Sequence, residues 1–192
     1  ILLGTQMISK GLDFPNVKLV GVINADTSID LPDFRASERT YQLVSQVCGR
    51  CGRSEGTSKA IIQTFNPDAL AIKLASEGAY TTFANSELEL RQASQLPPIS
   101  RMARFIVRDQ TLENTVGKAE ALRERLVNLH CEEVSIGMPS PCAIPRIADR
   151  FRYECIVTSP TSKSLQSFLA KARPFVKMGR EIAVDIDPAS LL

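Results

Sequence analysis

The sequence lacks an apolar run of the about 18–20 residues that a membrane-spanning helix requires. Its first residues also lack the succession of basic, apolar and small side chains that marks a secretory signal peptide. We therefore expect no membrane partner and a cytoplasmic location.

Glycine and proline are too few for a collagen-like or low-complexity chain, at 10 and 11 of 192 residues. Hydrophobic residues make up 44% and charged residues 23%, which are the proportions of an ordinary globular protein. The length suits one large domain or two small ones. Because the first residue is Ile1 rather than methionine, we expect a fragment of a longer protein.

The sequence also lacks a large excess of either charge, since it has 23 Lys and Arg and 21 Asp and Glu, a net charge of +2. A sum this small does not by itself indicate nucleic-acid binding. Residues 1–96 carry 9 basic and 10 acidic side chains, whereas residues 97–192 carry 14 and 11. The basic excess therefore lies in the second half.

The five cysteines form neither an even set nor a metal-binding pattern. Cys48 and Cys51 are spaced as CxxC, but structural zinc usually requires a second pair at matching spacing. The single histidine, His130, lies next to Cys131 and far from that pair in sequence. We predict reduced thiols that fill small spaces, and no metal site in this chain.

The first half alternates strand and helix patterns. Apolar runs predict strands at 1–3, 18–24 and 59–65, with helices over 35–50 and much of 67–95. The strand at 18–24 is apolar at nearly every position, which is typical of a strand covered on both faces. This order predicts an α/β fold with an open parallel sheet.

The pair Pro97-Pro98 predicts a domain boundary, because proline cannot continue a helix. The domains are then 1–96 and 97–192. After the boundary, strands are predicted at 102–108, 133–137, 151–158 and 181–186, and helices at 112–129 and 161–175. This β-α-β-β-α-β order is typical of a small two-layer sandwich. Residues 137–146, rich in proline, are predicted to be a loop.

Two arginines at the end of the 35–50 helix suggest phosphate binding. The stretch Gln46-x-x-Gly49-Arg50-x-Gly52-Arg53 puts two guanidinium groups three residues apart, between glycines that let the backbone approach a ligand closely. Each guanidinium group can bind two phosphate oxygens at once and can neutralise the negative charge that develops in the transition state of phosphoryl transfer. Solvated salt bridges are the plain alternative for this stretch alone.

The beginning of the chain strengthens the nucleotide interpretation. The segment from Gly4 to Pro15 follows an apolar strand and offers a Gly-Thr turn and the carboxylate of Asp13. Backbone N–H groups and a hydroxyl suit phosphate, and a carboxylate suits a ribose hydroxyl. The two stretches together resemble motifs V and VI in the second RecA-like lobe of superfamily 2 helicases.

The resemblance narrows to the PriA family of replication-restart helicases (primosomal protein N′). It rests on the segments 4–15, Asp33-Phe-Arg-Ala-Ser-Glu-Arg-Thr and 46–53, on Leu96-Pro97-Pro98, and on Pro139-x-Pro141 followed by Arg146. The resemblance covers nearly the whole chain. It implies part of the second helicase lobe at 1–96 and an S10-like sandwich that contacts DNA at 97–192.

The resemblance also implies roles for individual residues. Arg53, as arginine finger, Arg50 and Gln46 would act on ATP phosphates, and the cofactor-binding residues would be Asp13, Gly11 and Gly49. Contacts to DNA would come from Gly4, Thr5, Gln6 and Lys10 in the helicase lobe. In the second domain, the candidate DNA contacts are Arg146, Arg150, Arg152 and Tyr153.

The intact protein implied by this resemblance is a 3′→5′ DNA helicase that uses ATP and Mg²⁺. It would recognise stalled forks and initiate primosome assembly in the bacterial cytoplasm, in association with the nucleoid. Its partners would be branched and single-stranded DNA, primosome proteins and single-stranded-DNA-binding protein. The family's zinc-binding cysteines would lie upstream of Ile1.

The chain contains no GxxxxGK[ST] sequence and no acidic Mg²⁺-binding motif, so we predict no ATPase activity from it alone. Two other function classes stay open. One is a different superfamily 2 translocase of the fork-remodelling type, and the other is a non-catalytic DNA-binding or assembly module.

Overall fold

The computed structural model of the chain describes residues 2, 4, 17–49, 58–176 and 181–192, and these form a mixed α/β structure as the sequence predicted. The chain divides into two compact units, Ile1–Glu89 and Leu90–Leu192. The second unit begins a few residues before Pro97. Within the second unit, the Leu96 amide donates to the Arg91 carbonyl at 2.9 Å and the Arg91 guanidinium donates to the Pro97 carbonyl at 3.3 Å.

The described part of the first unit contains two strands and four helices. They are β1 (Leu19–Val22), α1 (Asp26–Ile29), α2 (Ala36–Cys48), β2 (Lys59–Ile62), α3 (Leu70–Glu77) and α4 (Tyr80–Ala93), the last of which continues past Glu89. The predicted strand at 1–3 lies outside the described residues. The expected parallel pairing is confirmed for β1 and β2, with Leu19 opposite Lys59 and Val22 opposite Ile62.

Helix α2 supplies the core of the first unit. Its buried residues Tyr41, Val44 and Val47 share one face, and the Tyr41 ring stacks on Phe83 with centroids 4.2 Å apart. The prediction that β1 is covered on both faces is wrong for the described residues, because alternate positions are exposed and Leu19 is 60% accessible.

The long helical region expected at 67–95 is two helices, separated at Gly78. This glycine has a φ of +71°, which is the left-handed conformation that ends many helices. The amide of Ala79 closes the end of α3 by donating to the Leu74 carbonyl at 2.9 Å.

The second unit is a five-stranded sheet with two helices packed on one face. Its elements are β3 (Arg101–Asp109), α5 (Leu112–Val127), β4 (Ser135–Ile136), β5 (Ser140–Ile147), β6 (Arg150–Ser159), α6 (Ser162–Ala172) and β7 (Ile182–Ile186). The strand order is β4-β6-β3-β7. β4 pairs with Val157 and Thr158 of β6, and β5 pairs with residues 150–154 along the same edge of β6. All pairings are antiparallel.

The core of this unit lies between the sheet and both helices. It is formed by alternate residues of β3 and β6 together with one face of each helix, namely Ala103, Phe105, Val107, Ala119, Leu122, Leu126, Cys155, Val157, Leu165, Phe168 and Ala172. Thr111 and Thr161 cap α5 and α6 by accepting from amides three residues on. The predicted helices are confirmed, each with a slightly earlier end.

The segment 137–146, predicted to be a loop, contains most of β5. The order of elements along the chain is therefore β-α-β-β-β-α-β rather than the predicted β-α-β-β-α-β. Prolines are compatible with β5 because it is an edge strand, where a missing N–H costs no ladder hydrogen bond.

No helix of the described residues combines the length and apolar character needed to cross a bilayer.

Asp26 joins α1 to the end of β2. One carboxylate oxygen accepts from the Thr64 hydroxyl at 2.7 Å, and the other accepts from the Phe65 amide at 2.9 Å. These two hydrogen bonds, the Thr64 bond foremost, lower the pKa of Asp26 below its ordinary value of 3.8.

We predict that Asp26→Asn lowers the melting temperature at neutral pH, because the ionised carboxylate is the better acceptor. The pKa is lower in the folded state, so this stabilisation is present above pH 3.8 and is lost as pH falls through the folded value. Thermal unfolding should show the gap between the two proteins closing on acidification. A gap that stays constant down to about pH 2 would contradict this assignment.

Candidate nucleic-acid interface

The β5–β6 hairpin ends in a tight turn. Ile147 pairs with Arg150, so Ala148 and Asp149 are its two loop residues, with φ values of +48° and +57°. Positive φ at both positions is the mark of a type I′ turn, whose twist matches that of the flanking strands. The turn therefore gives the hairpin tip a defined direction.

Arg146 is held on one face of the tip. Its guanidinium group lies 5.2 Å from the centroid of the Phe151 ring and 3.2 Å from an Asp149 carboxylate oxygen. The side chain of Arg146 is nevertheless 56% exposed. A cation stacked on an aromatic ring has a restricted orientation and keeps its outer N–H groups available.

Arg150 lies on the opposite face of the hairpin from Arg146. Residues directly opposite in an antiparallel pair share a face, and neighbours along a strand alternate. Arg146 pairs with Phe151 while Ile147 pairs with Arg150, so the two guanidinium groups are on different faces. Among the residues that the structure describes, Arg150 forms no ion pair.

Arg152 and Tyr153 are separated from each other by the same alternation. Arg152 is buried at 7% exposure and donates to the Ile144 carbonyl at 3.1 Å. Ile144 lies in the part of β5 between Pro141 and Arg146, where the pairing register with β6 shifts, and this hydrogen bond holds that part in place. Tyr153 packs against the core on the helix side of the sheet. Of the four predicted DNA contacts in this unit, only Arg146 and Arg150 lie at the tip, and DNA contact by all four stays a prediction.

A buried ion pair joins β3 to β6, on the face of the sheet away from the helices. The Arg104 side chain on β3 donates to Glu154 on β6, and both residues are at least nine-tenths buried. Arg108 stands directly opposite Arg152 in the same β3–β6 ladder. The guanidinium groups of Arg108 and Arg152 thus lie on the same face as the Arg104–Glu154 pair, which holds a single carboxylate.

Three buried N–H groups of this cluster have no hydrogen-bond partner within the described part of the chain: Arg104 Nη2, Arg108 Nε and Arg152 Nε. Cys142 lies beside them. Burial raises the pKa of its thiol, Glu154 raises it further, and Arg152 and Arg104 oppose the increase. The cluster carries an excess of positive charge that the carboxylate only partly compensates.

Most of the residues of the helicase lobe that are predicted to act on ATP or to contact DNA lie outside the described part of the chain. These are Thr5, Gln6, Lys10, Gly11, Asp13, Arg50 and Arg53. Gly4 is exposed. Gln46 is exposed in the last turn of α2, and Gly49 caps that helix, its amide donating to the Ser45 carbonyl at 2.9 Å. The predicted roles of all these residues stay predictions.

The described residues bring together no group of three His, Cys, Asp or Glu side chains that could hold a metal ion. Cys48 is half-buried against the core of the first unit, and Cys51 lies outside the described residues. Burial raises the pKa of Cys155 to about 11, so this thiol stays protonated at neutral pH.

Comparison with known proteins identifies the family. The family model of the primosomal protein N C-terminal domain matches residues 92–189, which is more than half of the chain. The chain belongs to this family.

Similar proteins extend the match over the whole chain. It is 39% identical over 197 residues to the replication restart protein PriA of Bacillus subtilis, covering 100% of this chain and 24% of that protein. It is 36% identical to the PriA proteins of Borreliella burgdorferi and Treponema pallidum, with 100% of this chain again covered. The chain spans 29% and 30% of those two relatives, and matches the C-terminal part of PriA.

Sequence reasoning about this primosomal protein N domain missed three features of the interface. These are the ring of Phe151 beneath Arg146, the exposed Ile147 next to the turn, and the Arg104–Glu154 pair. The strand alternation in 150–159 puts Glu154 on the face opposite the core residues Cys155 and Val157, so the local pattern does not predict its burial. Its partner on β3 depends on the strand register, which no local pattern supplies.

We predict that Glu154→Gln destabilises the domain by about 3 kcal/mol, because it leaves the Arg104 charge buried without a carboxylate. Urea unfolding of the variant measures the loss. Glu124→Gln, an exposed position on α5, is the matched control and should stay within about 0.5 kcal/mol of the wild type. A loss at Glu154 no larger than at Glu124 would contradict the importance of the pair.

Proposed function

We propose that the chain is the C-terminal part of an ATP-dependent 3′→5′ DNA helicase that acts at stalled replication forks and initiates primosome assembly. The support is the match of the entire chain to proteins named replication restart protein PriA, at 33–39% identity. The helicase activity belongs to the intact protein in this proposal. Its partners are branched and single-stranded DNA, primosome proteins and single-stranded-DNA-binding protein.

In this proposal the first unit is part of the second RecA-like lobe of the helicase. The parallel pairing of β1 with β2 and the two helices between them are compatible with such a lobe. Helix α2 ends at Cys48 with Gln46 exposed in its last turn, and Arg50 follows directly along the chain. Gln46 would orient a phosphate or water, and Arg50 and Arg53 would bind ATP phosphates across the cleft.

The second unit, proposed to be S10-like, contacts DNA. The observation that carries this part is the hairpin tip, where Arg146 and Arg150 present guanidinium groups on two faces of one rigid turn. Arginine binds phosphate oxygens through a planar fork of N–H donors. The buried Arg152 contributes by holding the β5 backbone at Ile144 rather than by reaching a phosphate.

We predict that the 192-residue chain binds forked DNA, and that Arg146→Ala together with Arg150→Ala weakens the binding. Each lost phosphate contact should reduce the slope of log K against log salt by about 1. Fluorescence anisotropy over a salt series measures both effects. Arg125→Ala, an exposed arginine at the end of α5, is the control. An unchanged slope in the double variant would contradict the assignment.

We predict that the purified chain neither binds ATP tightly nor hydrolyses it, because its sequence has no phosphate-binding GxxxxGK[ST] loop. A coupled ATPase assay with and without DNA checks this. Steady hydrolysis that Arg53→Ala abolishes would show that the chain carries a complete site, contrary to the proposal. A DNA affinity that survives Arg50→Ala would separate DNA binding from the nucleotide residues.

A further inference from the structure

The outer edge of β7 is unpaired within the part of the chain that the structure describes. The strand order of the sheet ends at β7, which pairs with β3 and with no other described strand. An edge strand of this kind presents a row of backbone N–H and C=O groups with which another chain can pair. β7 is therefore a place where the sheet can be extended by one strand.

The register of β7 on β3 identifies the residues that present these backbone groups. At the end of β7 the Asp187 amide donates to the Met102 carbonyl at 2.7 Å. In an antiparallel ladder such hydrogen-bonded positions alternate with positions whose N–H and C=O point away from the partner strand. Ala183 and Asp185 therefore direct these groups toward β3. The outward groups belong to Ile182, Val184 and Ile186.

The side chains of these three outward residues border an apolar groove on the helix side of the sheet. The groove has a volume of about 740 Å³, and the last turns of α6 form its other wall through Leu169 and Ala172. Ile186 on its border is 56% exposed. Side chains alternate between the two faces of a strand. A strand added to β7 would therefore place every second side chain in this groove.

Charged side chains differ between the two faces of this edge. On the face away from the helices, Asp185 is exposed, and the ion pairs of the described residues include Asp187 and Glu181 but not Asp185. On the helix side, the charged side chain that lines the groove is that of Arg173. A basic side chain thus suits the Asp185 face, whereas Arg173 repels a cation from the groove and leaves apolar side chains as its best occupants.

A second copy of the chain does not suit this edge. Two β7 strands paired antiparallel about Val184 would bring Glu181 of one copy opposite Asp187 of the other. Pairing about Asp185 would bring the two Asp185 carboxylates opposite each other. Like charges directly opposite are destabilising in a sheet. The acidic residues of β7 therefore favour a basic partner over self-association.

We infer that β7 binds an extended peptide segment of alternating apolar and basic residues, added as an antiparallel strand at the edge of the sheet. The apolar residues of the segment pair with the outward backbone groups and place their side chains in the groove, while a basic residue between them reaches Asp185. β7 and the β5–β6 hairpin lie at opposite edges of the sheet. The inference is thus independent of the proposed contact to DNA.

The first test measures the fluorescence anisotropy of a labelled short peptide of alternating valine and lysine, with acetylated and amidated ends, on the 192-residue chain. Its Kd should lie below about 1 mM, and a valine–glutamate peptide should bind about tenfold more weakly. N-methylation of the valine amides should abolish binding, and N-methylation of the lysine amides should not, because only the valine amides face β7. No binding of the valine–lysine peptide, or equal binding of all these peptides, would overturn the inference.

A charge reversal on the protein tests the role of Asp185. Asp185→Lys should weaken binding of the valine–lysine peptide about tenfold and strengthen binding of the valine–glutamate peptide. Glu124→Lys makes the same change in charge at an exposed position of α5 and is the matched control. It should leave both affinities within about twofold of the wild type. Equal effects of the two variants would show non-specific attraction and contradict the site.

Amide hydrogen exchange on the wild-type chain needs no variant. The amides of Ile182, Val184 and Ile186 should exchange rapidly in the free chain and slow down when the valine–lysine peptide binds, because they then donate to it. The amides of Ala183 and Asp185 should be slow in both states. Slowing without this alternation would overturn the inference. So would slow exchange of all five amides in the free chain together with a dimer mass on sedimentation, because a second copy would then occupy the edge.

Discussion

The ion pair between Arg104 and Glu154 joins the two longest strands of the second unit, on the sheet face away from the helices. Two buried charges stabilise a structure only when each has its partner, so the pair favours a single alignment of β3 and β6. β6 also holds β4 and β5 along its other edge. The position of the hairpin, and with it the proposed contact to DNA, therefore depends on this alignment.

Hydrophobic periodicity was sufficient to predict most of the second unit. The expected helix at 112–129 is α5, Leu112–Val127, whose apolar residues Leu122 and Leu126 are buried. β5 could not be predicted in the same way, because its prolines are typical of a loop and only its place at the sheet edge makes them acceptable. Its Ala-Asp turn also lacks the Asn-Gly pattern that usually announces such a hairpin.

The candidate site was predictable by residue type but not by arrangement. The cluster of arginines was evident from the sequence, yet a period of two along β6 separates Arg152 from Tyr153, and the turn separates Arg146 from Arg150. The burial of Arg152 depends on the Ile144 carbonyl, which is brought close only when β5 folds back on β6. Such contacts between strands have no local pattern in the sequence.

The central claim, that the β5–β6 hairpin is the DNA-contacting element of this chain, is tested most directly by NMR titration of the isotope-labelled chain with forked DNA. The account predicts that the largest shift changes fall on backbone amides of the hairpin tip, from Ile144 to Arg150 where an amide is present, with small changes on the outer faces of α5 and α6. Changes concentrated on those helices, with the hairpin amides unmoved, would contradict it.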